Sequence, residues 1–329
     1  MEDGTREIQL SVPNLGPKEK KALNEVIDSG WLTMGARVAD FESAFAELHG
    51  INSAVAVNSC TAALHIILKA LDIGPGDEVL VPSLTFVATV NAVLYVGATP
   101  VFLDIDRFDI PHVSIKEAEH KITSRTKAVI IMHYGGYLLN LPEWRSFCDN
   151  KGIKLIEDAA HAPGIGKVGR LSDAAGFSFF SNKNMTTAEG GMITARDDSI
   201  IKNMRHQRGH GMTSDTLNRH RGHAYSYDVT MLGFNYRLDE LRAALGLVQL
   251  KLLPEWINKR ISLSLTYREY LFDQLKEVVI PFKPDHETAA HLMPIILPPG
   301  TERKKVMQKL RDEGIQSSIH YPPVHLFSF

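Results

Sequence analysis

One lysine stands out by its surroundings. In FSFFSNKNMTTAEGGM, residues 177–192, an apolar run gives way to Ser181, Asn182, Lys183 and Asn184, and the Gly190–Gly191 pair follows. A lysine after a strand is by itself an ordinary solvated residue. Held in a partly dry pocket it loses proton affinity and becomes a usable amine nucleophile. Three other short stretches carry residue types that would complement such an amine. In NSCT (58–61), Ser59 or Thr61 can cap a helix, and the free N–H groups of that helix start can equally bind a phosphate. In PSLTF (82–86), Phe86 is by base rate a core residue, or else an aromatic plane for a flat ligand ring. In EDAAH (157–161), Asp158 ends an apolar run, and if buried it requires a cationic or hydrogen-bonding partner. His161, taken singly, reads as a structural hydrogen-bonder.

The elements that must position these residues follow from residue 53 onward. AVAVNS, DEVLVPS, TPVFLDID, KAVIIMHY and IKLIEDA read as strands, and TAALHIILKAL, FVATVNAVLYVG, VSIKEAEHKI and PEWRSFCDNK as the helices between them. This alternation predicts an α/β fold, a mainly parallel seven-stranded sheet sandwiched by helices. AAGFSFF and GGMITA add two strands without an intervening helix, so one is expected to run antiparallel. After residue 238, LDELRAALGLVQLKLLPEW predicts a long helix reaching about residue 276, bent near Pro254. VVIPF, HLMPIIL and IQSSIHY then alternate with TERKKVMQKLRDEG, the pattern of a smaller C-terminal α/β unit. The expected division is a large domain over 1–250, including the N-terminal segment, and a small one over 251–329. The chain ends at HLFSF without a closing helix, so a C-terminal piece is expected to be missing.

Ligands of open parallel sheets bind outside the carboxyl ends of the strands. NSCT, PSLTF, EDAAH and SFFSNK all fall at such ends and, if the strands are parallel, on one edge. Together they supply a phosphate cradle, an aromatic plane, an acid for a ring nitrogen and an amine for an aldehyde. Pyridoxal 5'-phosphate carries the four complementary groups, and the combination is far more specific than any member.

At these residues the chain resembles the DegT/DnrJ/StrS sugar-aminotransferase family, of the aspartate-aminotransferase fold (PLP fold type I). SGWLTMGARVADFESAFAELHG, NSCTAALHIIL, PSLTFVATVNAVLYVGATPVFLDID, IEDAAHA, FSFFSNKNMTTAEGG, GFNYRLDELRAALGLVQL and GIQSSIHYPPVH occur in the family's order over nearly the whole chain. The resemblance implies that domain 1–250 binds the cofactor and that Lys183 carries its aldehyde as a Schiff base and later moves protons. It implies that Asp158 keeps the pyridine nitrogen protonated, that His161 sits near the phenolic oxygen and that Phe86 stacks on the ring. Cys60, Thr61 and Ser178 would bind the phosphate, and Asn235 would reach the phosphate of a neighbouring subunit in a homodimer. Trp31, Thr33, His320 and Tyr321 would border the substrate. The implied reaction is transamination of a nucleotide-linked keto-sugar with L-glutamate as donor, for cell-surface polysaccharide or secondary-metabolite biosynthesis. Relatives that dehydrate sugars carry histidine in place of the lysine, so Lys183 favours transamination. Two departures are visible: Ala188 stands where many relatives have glycine, and most relatives continue beyond HYPPVH.

Competing signals are weaker. GIGKVG (164–169) fits G-x-G-x-x-G but is followed by RLSDAAGFSFF, not a helix, so it reads as a loop and gives little support to an NAD-dependent oxidoreductase. A regulatory or sensor protein keeping the fold without turnover is the other alternative, and the intact Asp158–Lys183 pair argues against it. His206, His210, His220 and His223 lie in a basic stretch without HExxH or cysteine, so no metal site is expected. There Arg219 and Arg221 either form a solvated loop or attract a diphosphate. A net charge of -2 argues against nucleic-acid binding. Only two cysteines, Cys60 and Cys148, suggest a reducing compartment. With neither a signal-peptide pattern nor a membrane-length apolar run, the chain reads as cytoplasmic.

Overall fold

The computed structural model describes residues 7–213 and 226–329. Short runs rich in Val, Ile and Ala form strands buried on both faces, as a helix-covered parallel sheet requires. In chain order these are β1 (Ala54–Val57), β2 (Glu78–Pro82), β3 (Thr99–Leu103), β4 (Ile105–Arg107), β5 (Ile110–Val113), β6 (Thr126–Met132), β7 (Lys154–Asp158), β8 (Ala174–Ser178) and β9 (Gly191–Ala195). The main sheet has seven strands in the order β1-β9-β8-β7-β6-β2-β3, and β4 and β5 form a separate hairpin. Strand β9 runs antiparallel to both neighbours, whereas β8, β7, β6, β2 and β3 pair in parallel. The reason is local: the loop from Ser178 to Gly191 contains no crossover helix, and a parallel return would need one.

Helices cover both faces. The helices α1 (Pro17–Ser29), α2 (Ala36–His49), α3 (Cys60–Ala70), α4 (Val87–Tyr95), α5 (Ile115–Lys121), α6 (Leu141–Lys151) and α7 (Asp198–Arg208) precede one 35-residue helix, Glu240–Gln274. Residues of α3, α4 and α7, among them Ile67, Val93 and Met204, close one face over Val81 and Ile130. On the other, Phe41 and Phe45 of α2 meet Phe177, Phe179 and Leu253. Each such buried side chain contributes about 1.5–3 kcal/mol. Gly246 explains how the long helix comes so close, because a Cβ there would lie 2.7 Å from the Phe41 ring. Glu240, at the start of that helix, accepts hydrogen bonds from the Gly35, Arg37 and Val38 amides and so caps α2 from another element.

Pro254 lies inside the long helix, which also runs through the expected division at 250/251. Beyond it, VVIPF, HLMPIIL and IQSSIHY form no named strands. They keep isolated bridges, Val279 to Ile296 and Ile315 to Ile8, around the helix Arg303–Asp312. Pro281, Pro294, Pro298 and Pro299 remove backbone donors that a ladder would need. Helices α1, α2 and α7 and the β4–β5 hairpin were not among the elements expected from sequence.

Candidate active site

The geometry starts at the β8–β9 edge. Ser178, the last residue of β8, lies opposite Gly191, the first of β9. A Cβ on Gly191 would stand 2.6–2.8 Å from the backbone of Ser59 and the Cys60 nitrogen, so only glycine lets β9 pass this close to the start of α3. Ser59 caps that helix, its Oγ accepting from Ala62 N at 3.1 Å. The Cys60 and Thr61 amides are first-turn donors with no intrahelical acceptor. Two amides and the nearby Ser178 hydroxyl thus make a cradle for an anion.

Asp158 ends β7 and is 3% exposed. Thr89 of α4 donates to its Oδ2 at 2.6 Å, and the Ala160 amide to its Oδ1 at 3.1 Å. Burial pushes the carboxyl up, opposed by Thr89, the Ala160 amide, Lys183 and His133. Lys183 sits in the turn after β8, its amide bonded to Phe180 O at 2.9 Å. Burial draws its amine below the ordinary lysine range, while Asp158 and Cys60 act in the opposite direction. Cys60 is raised well above the usual thiol range by burial and by Asp158, so it stays a neutral thiol. A desolvated amine and a desolvated carboxylate therefore act on one space.

His161 is buried, and burial, reinforced by Lys183, holds its pKa well below the ordinary value. The Gly135 amide donates to Nδ1 at 3.2 Å, so the neutral ring carries its proton on Nε2. That proton is donated to Tyr321 Oη at 3.0 Å, which leaves the phenol's own O–H for another acceptor. Burial raises Tyr321 far above the ordinary phenol range, so it remains protonated. Its ring lies 5.8 Å from that of Phe86, a residue 53% exposed at the N-cap of α4. Tyr134 donates to the His320 carbonyl and fixes the chain just before Tyr321.

Asp158, His161 and Lys183 are thus brought to one edge with Cys60, Thr61 and Ser178, and Tyr321, His320 and Phe86 join through ring contacts. Asn235 is elsewhere: exposed, and bridged to Gly209. Trp31 and the exposed Thr33 lie in the segment before α2, where the indole packs on Gly35. GIGKVG is a run of turns leading into β8, with Gly164 packed against Leu253. His206 is half-buried in α7 and His210 exposed, whereas Arg219, His220, Arg221 and His223 lie outside the described residues. Among the described residues no cluster of His, Cys, Asp and Glu is arranged to hold a metal ion, and no helix is long and apolar enough to cross a membrane.

Sequence reasoning passed over Thr89, Asn184 and His291. Thr85 and Thr89, four residues apart across the start of α4 and bonded at 2.7 Å, offered a signal as a polar pair in an apolar run. His291 opens the apolar HLMPIIL, and Asn184 directly follows the lysine.

The residues present fit pyridoxal phosphate: an anion cradle that a Cβ would fill, a buried carboxylate for a ring cation, and a desolvated amine. The comparisons agree. The profile of the DegT/DnrJ/EryC1/StrS aminotransferase family matches residues 13–329. Spore coat polysaccharide biosynthesis protein SpsC of Bacillus subtilis is 38% identical over 98% of this chain and 85% of its own length. Helicobacter pylori PseC, an aminotransferase involved in the biosynthesis of pseudoaminic acid, superposes with a TM-score of 0.90 at 32% identity, over 98% of this chain and 87% of its own. Spr1654 of Streptococcus pneumoniae, solved in PMP- and PLP-forms, gives TM-scores of 0.90 and 0.89 at 29% and 28% identity, over 98% of this chain and 87% of that one. The chain belongs to the DegT/DnrJ/EryC1/StrS aminotransferase family, whose members are pyridoxal-phosphate-dependent sugar aminotransferases of fold type I.

Proposed function

We propose that this enzyme transfers the amino group of L-glutamate to the carbonyl of a nucleotide-linked keto-sugar, in the cytoplasm and as a homodimer. Its amino-sugar product would serve cell-surface polysaccharide or secondary-metabolite biosynthesis. The observation that carries the reading is the pair of desolvated, oppositely charged groups, Lys183 and Asp158, beside the α3 anion cradle. SpsC, named for spore coat polysaccharide biosynthesis, and PseC, for pseudoaminic acid biosynthesis, support the substrate class.

Pyridoxal phosphate, when bound, supplies the electron sink for charge developing at the donor's Cα. The chain's residues do the rest. The Cys60 and Thr61 amides and the Ser178 hydroxyl would hold the phosphate, and Phe86 would lie beside the ring. Asp158, oriented by its hydrogen bonds from Thr89 and the Ala160 amide, would favour a proton on the ring nitrogen. The Lys183 amine, its proton affinity lowered by burial, would take the proton and return it. His161 fixes Tyr321, whose O–H faces the substrate together with His320, Trp31 and Thr33. Asn235, exposed in one subunit, would serve the phosphate of the other. The 1–250 unit would hold the cofactor, and residues 251–329 would bring His320 and Tyr321 to the sugar.

The test is stoichiometric. Holoenzyme mixed with L-glutamate and no sugar should release one equivalent of 2-oxoglutarate per site, with the cofactor recovered in its aminated form. A nucleotide-linked keto-sugar should then be aminated and restore the starting cofactor. Amination of the free keto-sugar at an equal kcat/KM would contradict the nucleotide assignment, and absence of 2-oxoglutarate would contradict the donor.

A further inference from the structure

The lysine's neighbour is tied to a distant part of the chain. Asn184 is 4% exposed, and its Nδ2 donates to Ala289 O at 2.6 Å. That bond orients the amide, so its Oδ1 accepts from His291 Nδ1 at 3.0 Å. His291 is itself 7% exposed, and its ring lies 4.3 Å from that of His161 at 40°. One side chain therefore touches both the residue after Lys183 and the histidine that holds Tyr321.

The segment bearing His291 is clamped in place. Ala289 N donates to Gly136 O at 2.9 Å and Leu292 N to Gly135 O at 3.1 Å. Gly136, at φ +90°, admits this approach, since a Cβ there would lie 2.9 Å from His161 O and 3.1 Å from His291 N. Ala290 is held at φ +47°, a conformation unfavourable for alanine, with its amide bonded to Thr288 Oγ1 at 2.8 Å. A buried polar pair in an apolar stretch costs desolvation that a hydrophobic pair would avoid. Its placement beside the lysine gives that expense a use.

We infer that His291 is a positioning residue for Lys183, acting through its hydrogen bond to Asn184 and fixing the backbone from which the lysine projects. The inference rests on Lys183 being the working amine. Two substitutions separate the ring from the hydrogen bond. His291→Phe keeps an aromatic ring beside His161 and removes the donor to Asn184. His291→Asn keeps a donor near the Nδ1 position and removes the ring.

Both are compared with the parent protein in steady-state kinetics, pyridoxal-phosphate affinity of the apoprotein, and thermal unfolding. His291→Phe should lower kcat about tenfold, leave the sugar KM within about twofold, and weaken cofactor binding about fivefold, the loss of one hydrogen bond in each case. His291→Asn should recover kcat to within about threefold of the parent. Phe at parental kcat and cofactor affinity, or Asn no better than Phe, would overturn the inference. If His291→Phe does not fold, Asn184→Ala breaks the same bond from the other side and should show the same split. A parental kcat and affinity in that variant would overturn the inference equally. Failure of the underlying reading looks different: Lys183→Ala would then turn over at the parental rate, which overturns the inference whatever the His291 variants do.

Discussion

The two sides of the site are held by different means. Asp158 and Ser178 stand on strands locked into the sheet, Cys60 and Thr61 on a helix start packed against it, and Lys183 in a turn anchored at both ends of the β8–β9 pair. Tyr321 and His320 instead sit in a proline-containing stretch with no named strand, secured by single hydrogen bonds to His161 and Tyr134. The first arrangement fixes atoms to the sheet's own register, which suits groups that must face one cofactor. The second can change by substitution without disturbing the core, which suits groups that choose a substrate. Strand-end variants should therefore lower kcat, and variants at His320 and Tyr321 should alter KM for the sugar.

The largest break comes from Lys183→Ala. It should lower kcat at least about 10⁴-fold while the apoprotein still binds cofactor through the cradle, measured by single-turnover kinetics and equilibrium dialysis. Asp158→Asn retains the oxygen that accepts from Thr89 and removes the charge; kcat should fall about 10²–10³-fold, read in the glutamate half-reaction. Thr89→Val leaves that carboxylate with the Ala160 amide alone, and about tenfold in kcat should go with the lost bond. Equal KM effects from these three and from a C-terminal variant would erase the distinction. Tyr321→Phe sharpens it from the other side: sugar KM should rise about threefold to tenfold, with the glutamate half-reaction within about twofold of the parent.

The smallest effect concerns Ala188, at φ +67° in the loop carrying Lys183. An L-residue there carries roughly 1–2 kcal/mol of strain, and glycine's chain entropy offsets part of the relief. Ala188→Gly should stabilise the protein by about 0.5 kcal/mol in chemical denaturation without changing kcat. A loss of stability would show that the loop's geometry is set by the alanine methyl group and not in spite of it.

The sheet was legible because its strands are continuous apolar runs spaced by amphipathic helices, and that signal is local. That one of the last two strands runs antiparallel was legible for a related reason, the missing helix between them; that it is β9 was not. Lys183, Asp158 and the α3 cradle could be paired because each ends an element whose direction the alternation fixes. The C-terminal strands were over-read: VVIPF and HLMPIIL have β-type composition, but with their prolines the pairing stops at one isolated bridge, Val279 to Ile296. Thr89 and His291 escaped because their meaning lies in tertiary contacts, with Asp158 sixty-nine residues away and with Asn184 one hundred and seven residues away. Glu240 capping a helix two hundred residues earlier belongs to the same class.

The central claim is that Lys183 is the amine on which the cofactor chemistry turns. The most direct test is the visible absorption spectrum of the purified protein with pyridoxal phosphate, before and after L-glutamate, beside Lys183→Ala treated alike. The account predicts a cofactor band in the parent that glutamate discharges and that a keto-sugar restores, and no such cycle in Lys183→Ala. A folded parent that binds pyridoxal phosphate yet gives the same spectrum as Lys183→Ala, with and without glutamate, would contradict it.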